Sequence, residues 1–299
     1  MKVVVTGGSG LVGSALREIR PAWTYIDSTT YGSLTEIDNV KEMFKERPDV
    51  VVHLAANVGG LFKNMNKRLE MFEDNVRMNT NVLSEAAKSD TRRVVTMLST
   101  CIFPDGLVEA LTPEALHKGP PHFSNEGYAY AKRVSEVHAR IINETTGTRV
   151  TCLVPTNVYG PHDNFSLEDG HVVPALIHKA SIAKQNGTRL QVRGTGVAKR
   201  QFIHSSDLAR IIAWAVETPA DPPPIIVCCA EEEYTIGHVA KVIAEATGVD
   251  IEFVPGADGQ MRKTAVPGPG DFPAPKVSLE EGLIDTVKWF NSSTIKRIS

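Results

Sequence analysis

Tyr128 and Lys132 have the residue types and the spacing of a proton donor and the cation that tunes it. Four positions apart on a helix, which we expect over residues 128–144, they share one face. A free phenol has a pKa of about 10, and an adjacent ammonium favours the phenolate and lowers that pKa. The pair could therefore act as a general acid at neutral pH, although the same spacing also occurs on ordinary solvated helices.

Three further residues could supply a hydrogen bond to a carbonyl group and a second acid–base pair. Ser99 follows an apolar run over 94–98, so we expect its hydroxyl at the carboxyl end of a buried strand, where ligands of parallel sheets bind. Cys101 lies two residues later, and a thiol with a pKa of about 8.5 becomes a usable base when a nearby cation lowers that pKa. His171 could complete the pair. A buried structural cysteine and a loop histidine are the alternatives.

The N-terminal segment carries the pattern of a dinucleotide-binding turn. A β-branched run over 3–6 breaks into Gly-x-x-Gly-x-x-Gly, which predicts a buried strand that turns tightly into a helix. Glycine lets backbone N–H groups approach a pyrophosphate, and the helix N-terminus attracts its negative charge. The residues that we expect against this cofactor are Gly7, Gly8, Ser9, Gly10, Leu11, Val12 and Gly13.

Strand-like and helix-like segments alternate along the chain, which is typical of an α/β fold with a doubly wound parallel sheet. Long helices are expected over 63–87 and 128–144, and a final helix over 279–290. The proline-rich stretch 265–275 is expected to be a surface loop. The predicted strands cover residues 3–6, 23–26, 50–54, 94–98, 150–154 and 225–228.

The composition is that of an ordinary globular protein. The chain has 299 residues, of which 42% are hydrophobic and 22% charged, and its net charge of -3 predicts no general attraction to nucleic acid or to an anionic membrane. The first strand begins at the N-terminus and no apolar run approaches the length of a membrane span, so we expect neither a signal peptide nor an anchor. Four cysteines without paired-ligand spacing predict reduced thiols in a cytoplasmic protein, with no metal site.

Segments 98–104, 155–165 and 171–177, together with the later run 258–263, closely resemble the GDP-L-fucose synthases. The resemblance extends over nearly the whole chain. Enzymes of this family are extended short-chain dehydrogenase/reductases that convert GDP-4-keto-6-deoxy-D-mannose to GDP-L-fucose with NADPH. The resemblance therefore implies a Rossmann fold, a nucleotide-sugar substrate and catalysis of both epimerisation and reduction.

The resemblance also implies a role for each of the five candidate catalytic residues. Tyr128 would donate a proton to O4 during reduction, and Lys132 would hold the nicotinamide ribose and tune that tyrosine. Ser99 would bind the carbonyl oxygen. Cys101 and His171 would remove and return protons at C3 and C5. One polarised ketone at C4 would then serve every step.

Further ligand contacts follow from the same resemblance. Arg193 departs from the family pattern, which has a tryptophan here within Val-Trp-Gly, but an arginine could stack on a base or reach a phosphate. The resemblance places the cofactor against Lys132, Pro155, Thr156, Asn157, Val158 and His171. It places the GDP-sugar against Asn157, Lys179, Arg193, Arg200, Asp258 and Lys263.

The end of the second predicted strand gives a conflicting indication of cofactor preference. Asp27 stands where an aspartate accepts the ribose 2′-OH of NAD, and residues 28–31 contain no cation for a 2′-phosphate. The motif thus favours NAD, whereas the resemblance implies NADP(H). We expect NADP(H), because hydroxyl and backbone N–H groups can also bind a phosphate and Asp27 can point away.

Proline and glycine become more frequent from Gly160 onward, which indicates a second, smaller C-terminal substrate lobe. We expect the dinucleotide-binding domain over 1–160 and 201–228, and the GDP-sugar lobe over 161–200 and 229–299. In the resembling family, the counterparts of helices 63–87 and 128–144 pack across a two-fold axis. A homodimer is therefore expected.

Two alternatives remain. One is another extended reductase relative, such as a nucleotide-sugar 4,6-dehydratase or a 4-epimerase that retains NAD, which Asp27 would suit. A dehydratase needs an acidic pair directly after the strand-end hydroxyl, and Thr100 and Cys101 occupy those positions. The other alternative is a dinucleotide-binding sensor without catalysis, against which the intact Ser99, Tyr128 and Lys132 argue.

Overall fold

A six-stranded parallel sheet forms the centre of the computed structural model, which describes residues 1–107, 110–256, 264–268, 271–294 and 298. Its strand order is β2-β1-β3-β4-β5-β10, and all six predicted strands are confirmed, with bounds that differ by one residue at some ends. The strands are β1 (Val3–Thr6), β2 (Thr24–Ile26), β3 (Val50–His53), β4 (Arg93–Met97), β5 (Arg149–Pro155), β6 (Asn157–Tyr159), β7 (Leu190–Arg193), β8 (Lys199–Arg200), β9 (Phe202–His204), β10 (Ile225–Cys228), β11 (Tyr234–Thr235) and β12 (Ile251–Val254).

Helices cover both faces of this sheet, as the predicted doubly wound fold requires. Alternate strand residues point to opposite faces, so Val4 and Val51 pack with α3, α5 and α6, whereas Val3 and Val5 pack with α1 and α8. The helices are α1 (Leu11–Ile19), α2 (Ser28–Tyr31), α3 (Ile37–Phe44), α4 (Leu61–Asn66), α5 (Arg68–Lys88), α6 (Glu126–Thr145), α7 (Val172–Asn186), α8 (Ser205–Glu217), α9 (Ile236–Thr247) and α10 (Leu279–Ser292).

The prediction of a single helix over 63–87 is wrong, because this stretch forms two helices, α4 and α5. The backbone leaves the helical region at Lys67, with φ -118° and ψ 40°, so α4 ends and α5 begins around this residue. Neither proline nor glycine marks the break in the sequence. The predicted helices over 128–144 and 279–290 are confirmed as α6 and α10, which begin or end one or two residues further out.

A separate apolar core lies among α7, α9 and α10, and it includes Phe165, Ile177, Leu190, Ile243 and Leu283. Short two-stranded sheets border it, formed by the pairs β6–β9, β7–β12 and β8–β11. This core draws its members from residues 159–202 and 234–290. The division into 1–160 plus 201–228 and 161–200 plus 229–299 remains our proposal for the domain boundaries.

The stretch 265–275 is a surface loop only in part. Ala265 is buried, and its backbone N–H donates to the Gln201 Oε1 at 2.7 Å while its carbonyl accepts from the Gln201 Nε2 at 3.0 Å. Gly268 donates its N–H to the Val227 carbonyl at 3.0 Å. The start of the stretch is therefore anchored to the sheet edge.

Among the described residues, the helices do not include one with both the length and the apolar character of a membrane span.

Candidate active site

A cavity of about 1400 Å³ opens at the carboxyl ends of β1, β3, β4 and β5. It exceeds the roughly 300–1,000 Å³ of common small-ligand sites, so it has room for a dinucleotide and a second ligand together. Most of the predicted site residues line it, namely Gly7, Ser9, Gly10, Leu11, Val12, Gly13, Ser99, Cys101, Tyr128, Lys132, Pro155, Thr156, Asn157, Val158, His171, Lys179 and Arg200.

Of the predicted residues that the structure describes, Gly8 and Arg193 are not among those that line the cavity. Gly8 faces β2, where its N–H donates to the Ile26 carbonyl at 2.9 Å. Its expected contact with the cofactor through the cavity is therefore not supported. Arg193 is exposed and does not line the cavity, although its charge acts on Lys179. Asp258 and Lys263 lie outside the described residues.

The turn between β1 and α1 depends on glycine for steric reasons. Gly7 has φ +69°, and a Cβ there would lie 2.8 Å from the Ala55 nitrogen. A Cβ on Gly13 would lie 2.4 Å from the Gly7 carbonyl oxygen. The turn therefore passes close to both neighbouring segments and leaves the N-terminus of α1 facing the cavity. This arrangement fits the pyrophosphate of a dinucleotide.

Asp27 follows β2 and also lines the cavity, but its carboxylate already accepts hydrogen bonds. Its Oδ1 accepts hydrogen bonds from the Thr29 N–H at 3.0 Å and the Thr29 hydroxyl at 2.6 Å, which cap α2. These bonds, and to a smaller extent the charge of Arg17, lower the pKa of Asp27. Residues 28–31 contain no cation, but the fold brings the positive charge of Arg17, on α1, close to Asp27.

Tyr128 and Lys132 share the floor of the cavity, with the Lys132 Nζ 5.7 Å from the centroid of the phenol ring. Burial lowers the pKa of Lys132 to about 8. The expectation for Tyr128 was wrong in direction, because burial and then the negative charge of the nearby Cys101 raise the pKa of the phenol. With these protein groups alone, Tyr128 stays protonated and is a proton donor rather than a phenolate.

A buried polar network that the sequence did not reveal lies near Lys132. His53 makes hydrogen bonds with the Thr6 Oγ1 at 2.9 Å and the Asn79 Oδ1 at 3.1 Å. Burial, and then the charge of Lys132, lower the pKa of His53 to about 3, so this imidazole is neutral. Thr6 in turn accepts the Ala55 N–H at 3.2 Å. The network joins the ends of β1 and β3 to α5.

Ser99 and Cys101 lie at the end of β4, as their positions after the apolar run predicted. The Ser99 Oγ accepts the Cys101 N–H at 3.3 Å, which starts a 3-10 turn over Thr100–Ile102. That turn brings the half-buried Cys101 thiol back to the cavity. Its charge acts on both Tyr128 and Lys132, so the thiol lies close to the phenol–ammonium pair.

His171 lines the same cavity from the N-terminal end of α7, which it caps. Its side chain is accessible from the cavity, yet enough protein surrounds it for desolvation to lower its pKa. A backbone hydrogen bond from the Gly60 N–H to the Asp169 carbonyl, at 2.7 Å, ties the loop before His171 to the segment after β3. The imidazole is therefore neutral near pH 7 and able to accept a proton.

The far end of the cavity carries basic groups. Arg200 and Lys179 line it, and burial lowers the pKa of each, with the charge of Arg193 adding to the effect on Lys179. Guanidinium and ammonium groups with reduced hydration suit the oxygens of a diphosphate. Asn157 also lines the cavity, and its Nδ2 donates to the Gln201 carbonyl at 2.8 Å.

Comparisons with known proteins agree with this site. Residues 3–230 match the model of the NAD dependent epimerase/dehydratase family. The chain is 43% identical over 275 residues to GDP-L-fucose synthase from Dictyostelium discoideum, which covers 88% of this chain and 86% of that protein. It is 37% identical to a probable GDP-L-fucose synthase from Drosophila melanogaster, over 97% of each chain.

A solved structure supports the same assignment. The crystal structure of a GDP-L-fucose synthetase from Naegleria fowleri bound to NADP superposes with a TM-score of 0.89 and 39% identity, covering 99% of this chain and 94% of that one. A UDP-glucose 4-epimerase from Thermotoga maritima, with a TM-score of 0.80 and 24% identity, shares the fold. The chain therefore belongs to the NAD dependent epimerase/dehydratase family and, within it, to the GDP-L-fucose synthases.

Proposed function

We propose that this protein epimerises GDP-4-keto-6-deoxy-D-mannose at C3 and C5 and reduces C4 with NADPH, giving GDP-L-fucose. The observation that carries the proposal is that one cavity contains the glycine turn, the Ser99, Tyr128 and Lys132 group, and the Cys101 and His171 pair. The relatives named GDP-L-fucose synthase support the choice of substrate.

The glycine turn and the N-terminus of α1 would hold the dinucleotide, with Lys132 at its nicotinamide ribose. The bound NADPH supplies the hydride. The close approaches at Gly7 and Gly13 support this assignment, because they leave the turn without side-chain bulk next to the cavity.

Cys101 and His171 would move the protons at C3 and C5. Both carbons adjoin the C4 ketone, which acidifies their C–H bonds. We assign Cys101 as the base that removes each proton and His171 as its partner that returns one from the other side. The position of the thiol next to the Lys132 ammonium supports the choice of Cys101 as the base. His171, whose imidazole is neutral near pH 7, takes up a proton from solvent before it returns one.

Reduction would rely on the three residues at the carboxyl end of the sheet. Ser99 donates a hydrogen bond to the C4 carbonyl oxygen, and Tyr128 donates its proton to the oxygen as it becomes a hydroxyl. The raised pKa of Tyr128 supports this role, since the phenol keeps its proton until the carbonyl needs it. Lys132 would stabilise the phenolate that remains.

Two copies would form the working enzyme. Tyr130, Val134 and Ile141 project from one face of α6, and Leu69 and Phe72 are exposed on neighbouring α5. We propose that these faces meet across a two-fold axis, which would cover the apolar side chains. Light scattering should give twice the 32.5 kDa chain mass, and Val134→Glu should shift it towards one chain mass. A monomeric wild type at micromolar concentration would contradict the dimer.

We further propose a cytoplasmic location. Cys101, Cys152, Cys228 and Cys229 form no disulfide, and the last three are buried. A reducing compartment suits a site that uses a cysteine thiol as a base.

The test of the proposed function is product identification. Purified protein is mixed with GDP-4-keto-6-deoxy-D-mannose and NADPH, and the product is assigned by NMR. GDP-L-fucose is the expected product. A sugar reduced at C4 that retains the original configuration at C3 and C5 would contradict the proposal, as would the absence of NADPH oxidation.

A further inference from the structure

Arg17 is a fixed cation at the outer edge of the β1–α1 turn. Its guanidinium carbon lies 4.6 Å from the centroid of the Tyr25 ring, and its Nη2 approaches the Gly8 carbonyl oxygen at 3.5 Å. A cation that packs against an aromatic face keeps its charge, and its side chain has fewer accessible conformations. Although exposed, the side chain is therefore preorganised beside the end of β2.

The groups around Arg17 define a small polar site next to Asp27. The Ser9 hydroxyl makes a hydrogen bond with Asp27, and the Thr29 hydroxyl donates to the same carboxylate. Arg17 acts electrostatically on Asp27 across this site. Ser9 and Asp27 line the cavity, so the site continues directly from the dinucleotide-binding turn.

A dinucleotide bound to a fold of this type places its adenosine ribose at the end of β2. An aspartate there accepts the 2′-OH of NAD, but it would repel the 2′-phosphate of NADP unless a cation compensated its charge. In this chain Asp27 is occupied by the cap of α2, and Arg17 supplies a positive charge whose planar fork matches a phosphate.

We propose that Arg17 binds the 2′-phosphate of NADP(H) and is the residue that makes this chain prefer NADP(H) to NAD(H). Ser9 contributes its hydroxyl to the same phosphate. The inference rests on the proposed function only for the identity of the cofactor, and it assigns the preference to a helix residue that the strand-end motif does not include.

The test measures binding without any sugar substrate. Dissociation constants for NADPH and NADH are obtained from the fluorescence of the reduced nicotinamide, and those for 2′,5′-ADP and 5′-AMP by calorimetry. Arg17→Gln should weaken NADPH and 2′,5′-ADP by roughly tenfold to a hundredfold, the range for a lost charge-assisted hydrogen bond. Binding of NADH and 5′-AMP should change by less than about twofold.

Arg20→Gln is the matched control, because it removes the same charge from the C-terminal end of the same helix. Neither arginine lines the cavity, but Arg20 pairs with Glu217 at 2.5 Å and, unlike Arg17, is not among the charges that act on Asp27. This variant should leave the ratio of the NADPH and NADH constants unchanged. Arg17→Lys should retain part of the preference, since an ammonium keeps the charge but loses the planar fork.

Equal weakening of NADPH and NADH in Arg17→Gln, or no change in either, would overturn the inference. The proposed function and the role of Arg17 can be refuted independently of each other. A protein that does not convert the keto-sugar but loses its preference for the 2′-phosphate in Arg17→Gln would refute the proposed function and leave the role of Arg17 standing.

Discussion

The two ends of the cavity are built by different means. The dinucleotide end consists of regular elements, the β1–α1 turn and the ends of parallel strands, and its shape follows from close backbone approaches at Gly7 and Gly13. The sugar end consists of loops and short strands from distant parts of the chain, held by side chains such as Gln201 and by the Gly60–Asp169 hydrogen bond. Backbone geometry thus fixes one end, and buried polar contacts fix the other.

This contrast predicts that the dinucleotide end will tolerate almost no added atoms. Gly13→Ala places a Cβ 2.4 Å from the Gly7 carbonyl oxygen, so we expect a loss of about 3 kcal/mol of folding stability and of detectable NADPH binding. Thermal unfolding and NADPH fluorescence are the measurements. Gly147→Ala is the control, because a Cβ there meets nothing within 4 Å. A Gly13→Ala variant that binds NADPH like the wild type would show that the turn is looser than the structure indicates.

Substitutions of the catalytic residues should affect reduction and proton exchange separately. Tyr128→Phe should lower the rate of reduction about 10²- to 10⁴-fold, because the proton donor to O4 is lost. Solvent deuterium uptake at C3 and C5 of the keto-sugar should persist. Tyr130→Phe, two residues along the same helix and outside the cavity, is the control. Full reductase activity in Tyr128→Phe would refute its role.

Cys101→Ser should have the opposite effect on the two reactions. A serine hydroxyl ionises far less readily than a thiol and supplies almost no anion to act as the base, so solvent deuterium uptake at C3 and C5 should fall about 10²- to 10⁴-fold. Cys152→Ala removes a thiol that is buried in β5, and it should affect stability but not exchange. Undiminished uptake in Cys101→Ser would exclude this thiol as the base.

Substitution of the buried Gln201 side chain should weaken sugar binding, although this side chain does not line the cavity. Gln201 is 1% exposed, and its side chain joins Ala230 to Ala265 while its carbonyl accepts from Asn157. Gln201→Leu should cost about 1–3 kcal/mol of stability and raise KM for the GDP-sugar, while the Kd for NADPH stays within about twofold. Gln191→Leu, on the exposed side of β7, is the control. Equal weakening of sugar and NADPH would show that the two ends are not held separately.

The smallest effect concerns pH. Burial lowers the pKa of Lys132 to about 8, so its ammonium is present below that pH and is lost above it. The kcat/KM for reduction should therefore fall as pH rises through about 8. His171 must carry an extra proton to return one, and its pKa lies below the ordinary value, so exchange that is limited by this step should rise only as the pH falls below about 6.5. A reduction rate that stays constant to pH 10 would contradict the role of the ammonium.

The contrast also explains what the sequence could and could not predict. The six strands were found because each is a β-branched or apolar run, and all but the edge strand β2 are mostly buried. The glycine turn was found because its spacing has a steric cause. Ser99 and Cys101 were placed correctly because a strand end locates its following residues. These features depend on local chain geometry, which sequence spacing represents well.

The features that were missed all depend on tertiary contacts. The direction of the pKa shift at Tyr128 depends on burial, which a spacing of four residues does not reveal. Gly8 faces β2, and the cation near Asp27 is Arg17 of α1 rather than a residue that follows Asp27. Gln201 and His53 act through partners that are far away in sequence. None of these partners is marked by a short motif.

The central claim is that one cavity performs proton exchange at two carbons and reduction at a third, and the position of deuterium in the product tests it most directly. The reaction is run in D₂O with NADPH, and the GDP-sugar formed is analysed by NMR. The account predicts deuterium at both C3 and C5 and protium at C4. Protium retained at either C3 or C5 would contradict it.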